Sequence, residues 1–428
     1  MIGVGIIGLG TVGAGTLGIL TENRSLIRQR TGLDAEVVRI AETDPAKIRK
    51  HRVPARMVTD ATKLIEDKDV HIVVELIGGI HPAYEFIRSA LEQGKWVVTA
   101  NKALLAEKGQ ELMKIAEKNR GEIGFEASVC GGIPVIRAIR EGLVGNRITY
   151  LLGILNGTSN YILTRMTEEG IAFRDALREA QKLGFAEKDP TFDIEGIDAA
   201  HKLCILARLA FSHPVRMEDV ITAGISKIEP IDIRFAREFG YKIKLLGVAR
   251  EANGSVEARV EPAMIPIAHP MSSVNGVFNA AYVVGDKVGP TLFYGKGAGS
   301  EPTGSAVVSD IVDMALRIQS KTNHRTSFVQ GKRLRTKGVK PFQVPYYMRC
   351  TAQDSPGVLS KVSGILAHYR ISISAVTQKE RKESGYVPIV MLTHEAVEKD
   401  LKAAKAEIDK LPFIHGQSVH IRIEEGNL

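Results

Sequence analysis

Short apolar runs and amphipathic segments alternate along the first 130 residues of the chain. The apolar runs predict strands, and apolar positions three and four residues apart predict the helices between them. The strands are predicted at Val4–Gly8, Glu36–Ala41, Ile72–Leu76, Trp96–Ala100 and Gly121–Phe125, with helices from Gly10 toward Ile27 and over Pro82–Gly94. Strands that are separated by helices need crossover connections and therefore pair in parallel. Residues 1–133 are thus expected to form an α/β domain around a parallel sheet.

Between residues 134 and 300 the spacing changes, and longer helical stretches precede strands. Helices are predicted at Pro134–Glu141, Asn160–Glu168, Phe173–Leu183 and Ile197–Ala210, and strands at Lys244–Arg250 and Ser255–Pro262. This order is typical of an α+β domain. A further helix at about 301–320 carries apolar residues on one face, and we expect it to return to the first domain and complete it.

The segment Gly331–Phe342 is basic and lacks periodicity, so residues 331–345 are interpreted as a linker. Its basic residues are interpreted as solvated charges; they are Lys332, Arg333, Arg335, Lys337 and Lys340. The remaining residues, 346–428, follow the order strand, helix, strand, strand, helix, strand. This βαββαβ order predicts a small ferredoxin-like domain.

Composition narrows the class of protein. The chain has 428 residues, of which 44% are apolar and 25% charged, so several domains with packed cores are expected. The net charge is +8, but the basic residues are scattered and aromatic residues make up only 6%, so nucleic-acid binding is not predicted. No apolar run reaches the roughly 18 residues that span a bilayer. The cysteines Cys130, Cys204 and Cys350 lack the spacing of a disulfide framework or a zinc site. We therefore expect a cytoplasmic protein that has no membrane partner.

A glycine-rich loop follows the first predicted strand directly. Gly8-Leu9-Gly10-Thr11-Val12-Gly13 fits the pattern G-x-G-x-x-G and opens a helix. The first glycine permits a tight turn, the second lets the backbone approach a pyrophosphate, and the third allows close packing of helix on strand. Free N–H groups at the helix start attract the phosphate charge. Residues 1–133 are therefore interpreted as a Rossmann-type dinucleotide-binding domain of a nicotinamide-dependent dehydrogenase.

The choice between NAD and NADP depends on the end of the second strand. Glu42 lies where an acidic residue receives the ribose hydroxyls, although a solvated turn carboxylate is the alternative. No arginine follows Glu42 directly, and its carboxylate would repel the 2′-phosphate of NADP, so NAD is slightly favoured. The choice stays open, because Arg49, Lys50 or Arg52 would favour NADP if it folded back.

Polar clusters interrupt the apolar pattern in three places. Lys102 follows a predicted strand at the edge where ligands bind in such sheets, and it is either a surface lysine or a cation that faces the substrate. Thr158 lies in the turn Leu155–Asn160, whose donors either cap a helix or hold a carboxylate. The third cluster, residues 184–202, gathers acidic side chains, Asp193 among them, ahead of an apolar helix.

Asp198 and Lys202 are four residues apart and share a helical face that continues into apolar positions. A buried ion pair costs desolvation, so it either stabilises the fold or serves a reaction. Hydride transfer needs a group that takes or returns a hydroxyl proton, and a lysine does so near neutral pH if burial or a second cation lowers its pKa. Lys202 is the candidate, with Lys102 as the second cation. The nearby carboxylates suit a substrate ammonium, which indicates an amino acid.

Cys130 supports a rival hypothesis. A thiol at a sheet edge before a glycine pair can be the nucleophile of a phosphorylating aldehyde dehydrogenase. Free cysteines are more often unreactive core residues.

Taken together, these residues resemble the homoserine dehydrogenase family over essentially the whole chain. The resembling stretches are GIIGLGTVGAG (5–15), VTANKALLA (98–106), FEASVCGGIPVI (125–136), LNGTSNYIL (155–163), LGFAEKDPTFDIEGIDAAHKL (183–203) and GKGAGSEPTGSAVVSDI (295–311). The resemblance implies the interconversion of L-homoserine and L-aspartate 4-semialdehyde with NAD(H) or NADP(H), on the route to threonine, methionine and isoleucine.

The resemblance also implies roles for individual residues. Lys202 would be the acid and base, Asp198 and Glu187 would bind the substrate, and Lys102 would lie beside substrate and cofactor. Thr158 and Asp193 are further candidates for substrate binding. The cofactor cleft would be lined by Leu9, Thr11, Val12, Gly184 and Gly299. A monovalent cation, sodium or potassium, would be held by Glu126, Val129, Gly131 and Ile133.

The C-terminal unit resembles an ACT domain, a regulatory module that is often paired across a dimer. Its turn Asp354-Ser355-Pro356-Gly357 has N–H groups that suit an amino acid carboxylate. The resemblance implies threonine as the effector and a homodimer or homotetramer as the assembly. The alternative is a dimerisation domain that binds no ligand.

Overall fold

The computed structural model describes residues 1–252, 255–322, 342–378 and 385–426. The basic residues from Lys332 to Lys340, and most of the predicted linker 331–345, lie outside the described residues. Among the described helices, none is long and apolar enough to cross a membrane.

The N-terminal part of the chain forms a parallel sheet with the strand order β3-β2-β1-β4-β5-β6. Its strands are β1 (Ile2–Ile7), β2 (Ala35–Ala41), β3 (Val58–Thr59), β4 (Ile72–Glu75), β5 (Trp96–Thr99) and β6 (Ile123–Gly124). The helices between them are α1 (Thr11–Glu22), α2 (Arg24–Thr31), α3 (Pro45–Lys50), α4 (Ala61–Glu66), α5 (Ala83–Glu92) and α6 (Lys102–Lys118). This strand order is that of a dinucleotide-binding α/β domain.

Two elements of this domain differ from the pattern prediction. The helix predicted from Gly10 toward Ile27 is two helices, because Asn23 ends α1 by donating its N–H to the carbonyl of Ile19 and leaves the helical conformation there. The strand predicted at Gly121–Phe125 keeps only Ile123–Gly124, because Glu126–Ser128 already forms a 3₁₀ turn. Both differences lie at element ends, where local hydrogen bonds override apolar spacing.

The middle of the chain is an α+β region. Its helices are α7 (Val135–Arg137, continued by a π-helical turn over Ala138–Gly142), α8 (Gly157–Glu169), α9 (Phe173–Lys182), α10 (Thr191–Ile194), α11 (Ile197–Phe211) and α12 (Pro230–Glu238). Its strands are β7 (Ile148–Ile154), β8 (Ile221–Thr222), β9 (Tyr241–Ala252), β10 (Ser255–Pro266), β11 (Phe278–Gly285) and β12 (Gly289–Lys296). The nearly all-buried helix α11 packs on this sheet.

The long helix α13 (Ser300–Ser320) packs back on the N-terminal sheet, against α1. Glycines permit the close approach: a Cβ on Gly15 would lie 2.2 Å from the carbonyl oxygen of Ser300. The Ser300 hydroxyl donates to the carbonyl of Thr11 at 2.7 Å. The start of α13 therefore lies beside the glycine loop.

The C-terminal unit has the predicted βαββαβ order, so the predicted fold class is confirmed. Its elements are β13 (Gln343–Val344), β14 (Tyr346–Gln353), α14 (Val358–His368), β15 (Ile373–Thr377), β16 (Tyr386–Thr393), β17 (Ala396–Val397), α15 (Glu398–Ile408) and β18 (Val419–Ile423). Strand β18 also pairs in parallel with β10, at Ala263 with Arg422 and Met264 with Ile423. One sheet therefore runs from the middle region into the C-terminal unit, in the order β12-β11-β7-β9-β10-β18-β14-β16-β15.

A buried polar cluster fixes the C-terminal sheet to helix α12. Asp232 is 0% exposed and accepts hydrogen bonds from Arg349 Nε at 2.7 Å and from the Tyr347 hydroxyl at 2.9 Å. Arg349 also donates to Glu229 at 2.6 Å. Removing one member of a buried ion pair leaves an uncompensated charge, so this cluster should determine how firmly the two units hold together.

We expect Asp232→Ala to lower the free energy of unfolding by about 3–5 kcal/mol, because Arg349 loses its buried counter-charge. The matched variant Tyr347→Phe removes only one hydrogen bond to Asp232 and should cost about 1.5 kcal/mol. Urea unfolding followed by fluorescence measures both values. Equal and small effects would contradict the assignment of Asp232 as the buried anchor.

Candidate active site

The carboxyl edge of the parallel sheet carries a polar cluster. Glu75 ends β4, and its carboxylate accepts a hydrogen bond from the Thr99 hydroxyl at the end of β5, at 2.7 Å. Asn101 caps α6 by accepting the N–H of Leu104, and its amide donates to the carbonyl of Gly79. These contacts orient the first turn of α6 and thereby the side chain of Lys102.

Lys102 points from this edge to the middle region. Its Nζ lies 3.1 Å from Asp198 Oδ1 and 5.9 Å from the ring centroid of Phe192. About a third of its side chain is exposed, so the ammonium lies at the border of the cleft. The two regions of the chain therefore meet at an ion pair.

Helix α11 contributes the partner charges. Lys202 Nζ donates to Asp198 Oδ2 at 2.8 Å and to the carbonyl of Leu155 at 2.7 Å. Lys202 is 9% exposed and Asp198 3%. The two residues, four apart in sequence, thus lie on one buried face of α11, as the spacing predicts.

The turn before α8 adds a bridge between two carboxylates. The Asn156 amide donates to Asp193 Oδ1 at 2.7 Å and to Asp198 Oδ2 at 2.8 Å, while its carbonyl oxygen caps α8 by accepting the N–H of Ser159. Asp193 belongs to α10, so three elements converge on Asp198. The arrangement offers two ammonium groups and two carboxylates around one cleft.

The charge state of this cluster follows from its geometry. Burial alone raises the pKa of Asp198, but the ammonium groups of Lys202 and Lys102 outweigh burial and hold that pKa well below its ordinary value. Burial lowers the pKa of Lys202, but Asp198 outweighs it, and the net pKa of Lys202 is raised. The expectation that burial and Lys102 lower the pKa of Lys202 is wrong, because the carboxylate between the two lysines dominates. Lys202 is an ammonium at neutral pH.

Other candidate residues lie around this cluster with less contact. Thr158 donates its hydroxyl to the carbonyl of Phe185 at 2.7 Å. Glu187 is exposed, and within the described part of the chain its carboxylate makes no hydrogen bond or ion pair. Gly184 lies in the same loop at φ 76°, and Gly299 caps α13 at φ 124°, one residue before the Ser300 contact with the glycine loop.

The glycine loop has the shape of a phosphate cradle. A Cβ on Gly13 would lie 2.0 Å from the carbonyl oxygen of Gly8, whereas a Cβ on Gly10 would meet nothing within 4 Å. No side chain caps the start of α1, so its first N–H groups, those of Thr11 and Val12 among them, donate to no capping side chain. The loop therefore fits a dinucleotide pyrophosphate.

Glu42 is tied to this loop. Its carboxylate accepts the N–H of Leu9 at 2.8 Å and that of Asp44 at 2.9 Å. Lys47, which the sequence pattern does not single out, lies with its Nζ 3.5 Å from Glu42 Oε2. Burial opposes ionisation of Glu42, but the two backbone N–H groups and Lys47 outweigh it and lower its pKa. A fixed negative charge thus lies directly after the end of strand β2.

The loop after β6 contains a buried carboxylate. Glu126 is 3% exposed, and its two oxygens accept the N–H groups of Ile136 and Arg137, each at 2.8 Å. Burial, together with nearby Asp310, raises the pKa of Glu126 to about 7. The loop residues Val129, Gly131 and Ile133 are close in sequence, and Gly131 has φ 53°. A buried carboxylate is an oxygen donor of the kind that a hard cation takes.

Cys130 lies in the same loop and is fully buried. Burial raises the pKa of its thiol to about 11. A thiol that is neither ionised nor accessible is a poor nucleophile, so the thiol hypothesis loses its support.

Three contributors to the cluster are not predicted by the sequence pattern. The Asn156 side chain, the carbonyl of Leu155 and the Asn279 amide, which donates to that carbonyl at 2.9 Å, join the site only through contacts between distant segments. Asn156 lies in a stretch that the sequence did single out. No local pattern marks Asn279, which follows the first residue of a strand.

Comparisons with known proteins identify the family. The profile of homoserine dehydrogenase matches residues 134–312, that of the homoserine dehydrogenase NAD-binding domain matches 8–126, and that of the ACT domain matches 346–413. A homoserine dehydrogenase of Neisseria gonorrhoeae is 44% identical over 99% of this chain and 98% of its own length. The predicted resemblance is thereby confirmed.

Solved structures of homoserine dehydrogenases are similar to this chain as well. The crystal structure of a homoserine dehydrogenase from Thiobacillus denitrificans superposes with a TM-score of 0.92 at 46% identity, over 99% of this chain and 98% of that one. A hyperthermophilic archaeal homoserine dehydrogenase in complex with NADPH has a TM-score of 0.64 at 28% identity, over 76% of this chain and 99% of that one.

Substitution by alanine should affect stability differently at Gly10 and at Gly13. We expect Gly13→Ala to lower the unfolding free energy of the cofactor-free protein by about 1–3 kcal/mol, because the new Cβ forces the loop away from Gly8. Gly10→Ala should leave that stability nearly unchanged, since its Cβ enters open space. Both should weaken NADH binding, measured by fluorescence titration. Unchanged NADH affinity in Gly10→Ala would show that this space is not the pyrophosphate site.

Proposed function

Because this chain belongs to the homoserine dehydrogenase family, we propose that Lys202 is the acid and base with which it interconverts L-homoserine and L-aspartate 4-semialdehyde. The chain is an oxidoreductase with a nicotinamide-binding domain. The observation that carries the proposal is the buried Lys202–Asp198–Lys102 cluster, which lies at the carboxyl edge of the sheet.

The raised pKa of Lys202 fits the reductive direction. An ammonium at this position donates a proton to the aldehyde oxygen as that oxygen becomes a hydroxyl, and the amine left behind takes the proton back in the oxidative direction. The nicotinamide cofactor, when bound, supplies or accepts the hydride. Asp198 keeps the Lys202 ammonium in one orientation through the 2.8 Å contact.

The remaining polar groups would hold the amino acid part of the substrate. Asp193 and Glu187 offer negative charge to its ammonium, and Lys102 offers positive charge to its carboxylate. Thr158 is a donor at the start of α8. Glu187 would reach the substrate through its exposed loop, which agrees with its lack of a partner among the described residues.

Two substitutions at Lys202 separate proton transfer from charge. Lys202→Arg keeps a cation beside Asp198 but cannot lose its proton, so we expect kcat for homoserine oxidation to fall about 10²–10⁴-fold while the protein stays folded. Lys202→Met should lower kcat to the same extent and should also lower the free energy of unfolding. NADH binding should survive in both. Turnover near the native value in Lys202→Arg would rule out the acid–base role.

The variant Asp198→Asn tests whether the Asp198 carboxylate causes the raised pKa of Lys202. Removing the carboxylate charge removes the interaction that raises the pKa of Lys202, so that pKa should fall. The pH profile of homoserine oxidation, which requires the Lys202 amine, should then rise at lower pH than in the native enzyme. If activity is lower at every pH but the profile does not shift along the pH axis, Asp198 acts on the substrate alone.

For the cofactor, we propose NAD or NADP, with NAD slightly favoured. Glu42 supports NAD by repelling a 2′-phosphate, and Lys47 at 3.5 Å partly offsets that repulsion. Glu42→Gln should raise the ratio of kcat/KM for NADP to that for NAD about tenfold. Glu36→Gln, on strand β2 ahead of Glu42, is the matched control. An unchanged ratio in Glu42→Gln would contradict this role.

We also propose a monovalent cation, sodium or potassium, held by Glu126 and by backbone oxygens of Val129, Gly131 and Ile133. The buried carboxylate supports this, because a cation would offset its charge. The thermal midpoint should rise in sodium or potassium chloride relative to N-methylglucamine chloride of equal ionic strength, and Glu126→Gln should abolish the difference. An equal rise in Glu126→Gln would exclude this site.

Regulation is proposed from the ACT domain. Threonine is the proposed effector, in keeping with a role in threonine, methionine and isoleucine formation.

A homodimer or homotetramer is proposed from the exposed Leu292 and Tyr294 on the edge strand β12. A cytoplasmic location stays a prediction.

A further inference from the structure

The carbonyl of Leu155 accepts hydrogen bonds from two side chains in the candidate active site. Lys202 Nζ donates to it at 2.7 Å, and the amide nitrogen of Asn279 donates to it at 2.9 Å. Strands β11 and β7 bring the two groups together: Ala280 pairs with Ile154, and the next residues along the two strands are Asn279 and Leu155. The sheet therefore supplies a second donor to the carbonyl that binds Lys202.

The Asn279 amide is buried and held in one orientation. Asn279 is 1% exposed. Because a carbonyl can only accept, the nitrogen of the amide must face Leu155 and the oxygen Oδ1 must face away. The backbone of Gly297 covers the amide, since a Cβ on Gly297 would lie 2.1 Å from Asn279 Cγ and 2.3 Å from its Nδ2. The amide therefore has little room to move away from the Leu155 carbonyl.

Stability alone does not account for this amide. The oxygen Oδ1 of Asn279 has no hydrogen-bond partner among the described residues. A buried acceptor without a partner costs at least as much free energy as one typical hydrogen bond returns, so such a group in a native protein requires an explanation. An apolar side chain at this position would avoid the cost. The hydrogen bond to Leu155 therefore indicates a use beyond holding the fold together.

The Lys202 ammonium has three N–H groups, and two of them are occupied. Asp198 Oδ2 accepts one at 2.8 Å, and the Leu155 carbonyl accepts another at 2.7 Å. The third has no acceptor within the described part of the chain. Because 11% of the Lys202 side chain remains exposed, this third N–H is the one that a substrate in the cleft can reach.

The two occupied N–H groups determine which proton leaves Lys202. In the reductive direction the third N–H bond breaks and its proton forms the O–H bond of the alcohol, while the aldehyde carbon receives the hydride that the cofactor supplies. The amine that remains keeps two N–H groups for Asp198 and Leu155, so its lone pair points where the third N–H pointed. A displaced Leu155 carbonyl would turn that lone pair away from the substrate oxygen.

We propose that Asn279 is a positioning residue for Lys202: by holding the Leu155 carbonyl, its amide directs the third N–H of Lys202 to the substrate oxygen. This inference rests on the acid–base role proposed for Lys202. At 1% exposure Asn279 itself does not meet the substrate and acts only through the carbonyl. Loss of its donor should therefore slow proton transfer and leave substrate and cofactor binding intact.

The test uses the full chain with Asn279→Ala and Asn279→Asp, both of which lose the donor. We expect kcat for homoserine oxidation to fall about tenfold, the size of one hydrogen bond, while KM for homoserine and NADH affinity change less than about twofold. The ratio of kcat in H₂O to kcat in D₂O should rise, because proton transfer becomes the slower step. Asn279→Asp also adds a carboxylate near Lys202, which raises the pKa of Lys202 further. Its pH profile for oxidation should therefore rise at higher pH than that of Asn279→Ala.

Val283→Ala is the matched control for stability. Val283 lies on the same strand β11 and is 0% exposed, so its truncation lowers the free energy of unfolding but should leave kcat and the isotope effect native. Native-like kcat in Asn279→Ala, or an equal loss of kcat in Val283→Ala, would overturn the inference and leave the role of Lys202 standing. Native turnover in Lys202→Arg would instead end the acid–base role, and this inference with it.

Discussion

The buried carboxylate of Asp198 is the charge on which the active site depends. It lies between the ammonium groups of Lys202 and Lys102 and also accepts the Asn156 amide. A carboxylate that is 3% exposed would be costly alone, and two cations with a neutral donor offset that cost. The same contact keeps Lys202 protonated, so one interaction determines both the stability of the cluster and the charge of Lys202.

The position of this charge determines how the regions of the chain are joined. Lys102 starts a helix of the dinucleotide-binding domain, Lys202 and Asp198 belong to α11, and Asn156 caps α8. The ion pair between Lys102 and Asp198 therefore joins the two sides of the cleft. Arg208, farther along α11, donates to the carbonyls of Leu105 and Ala106 on α6 and strengthens the same junction. Helix α6 of the dinucleotide-binding domain and helix α11, which carries Lys202, thus pack on each other.

The C-terminal unit is more tightly joined to the enzyme than a linker-tethered module would be. Its last strand extends the middle sheet through β10, and Arg349 pairs with buried Asp232 of α12. Such continuity ties the position of the C-terminal unit to that of the middle sheet, because packed elements move as units rather than by gradual deformation.

The sequence by itself determined the features that depend on near neighbours. The glycine loop, the βαββαβ order and the shared helical face of Asp198 and Lys202 follow from backbone periods, which act over a few residues. Only the tertiary structure decided that Lys102 reaches Asp198, that Asn156 bridges two carboxylates and that β18 pairs with β10. It also reversed the expected direction of the Lys202 pKa. These outcomes depend on burial and on distances between segments far apart in the chain, which no local spacing encodes.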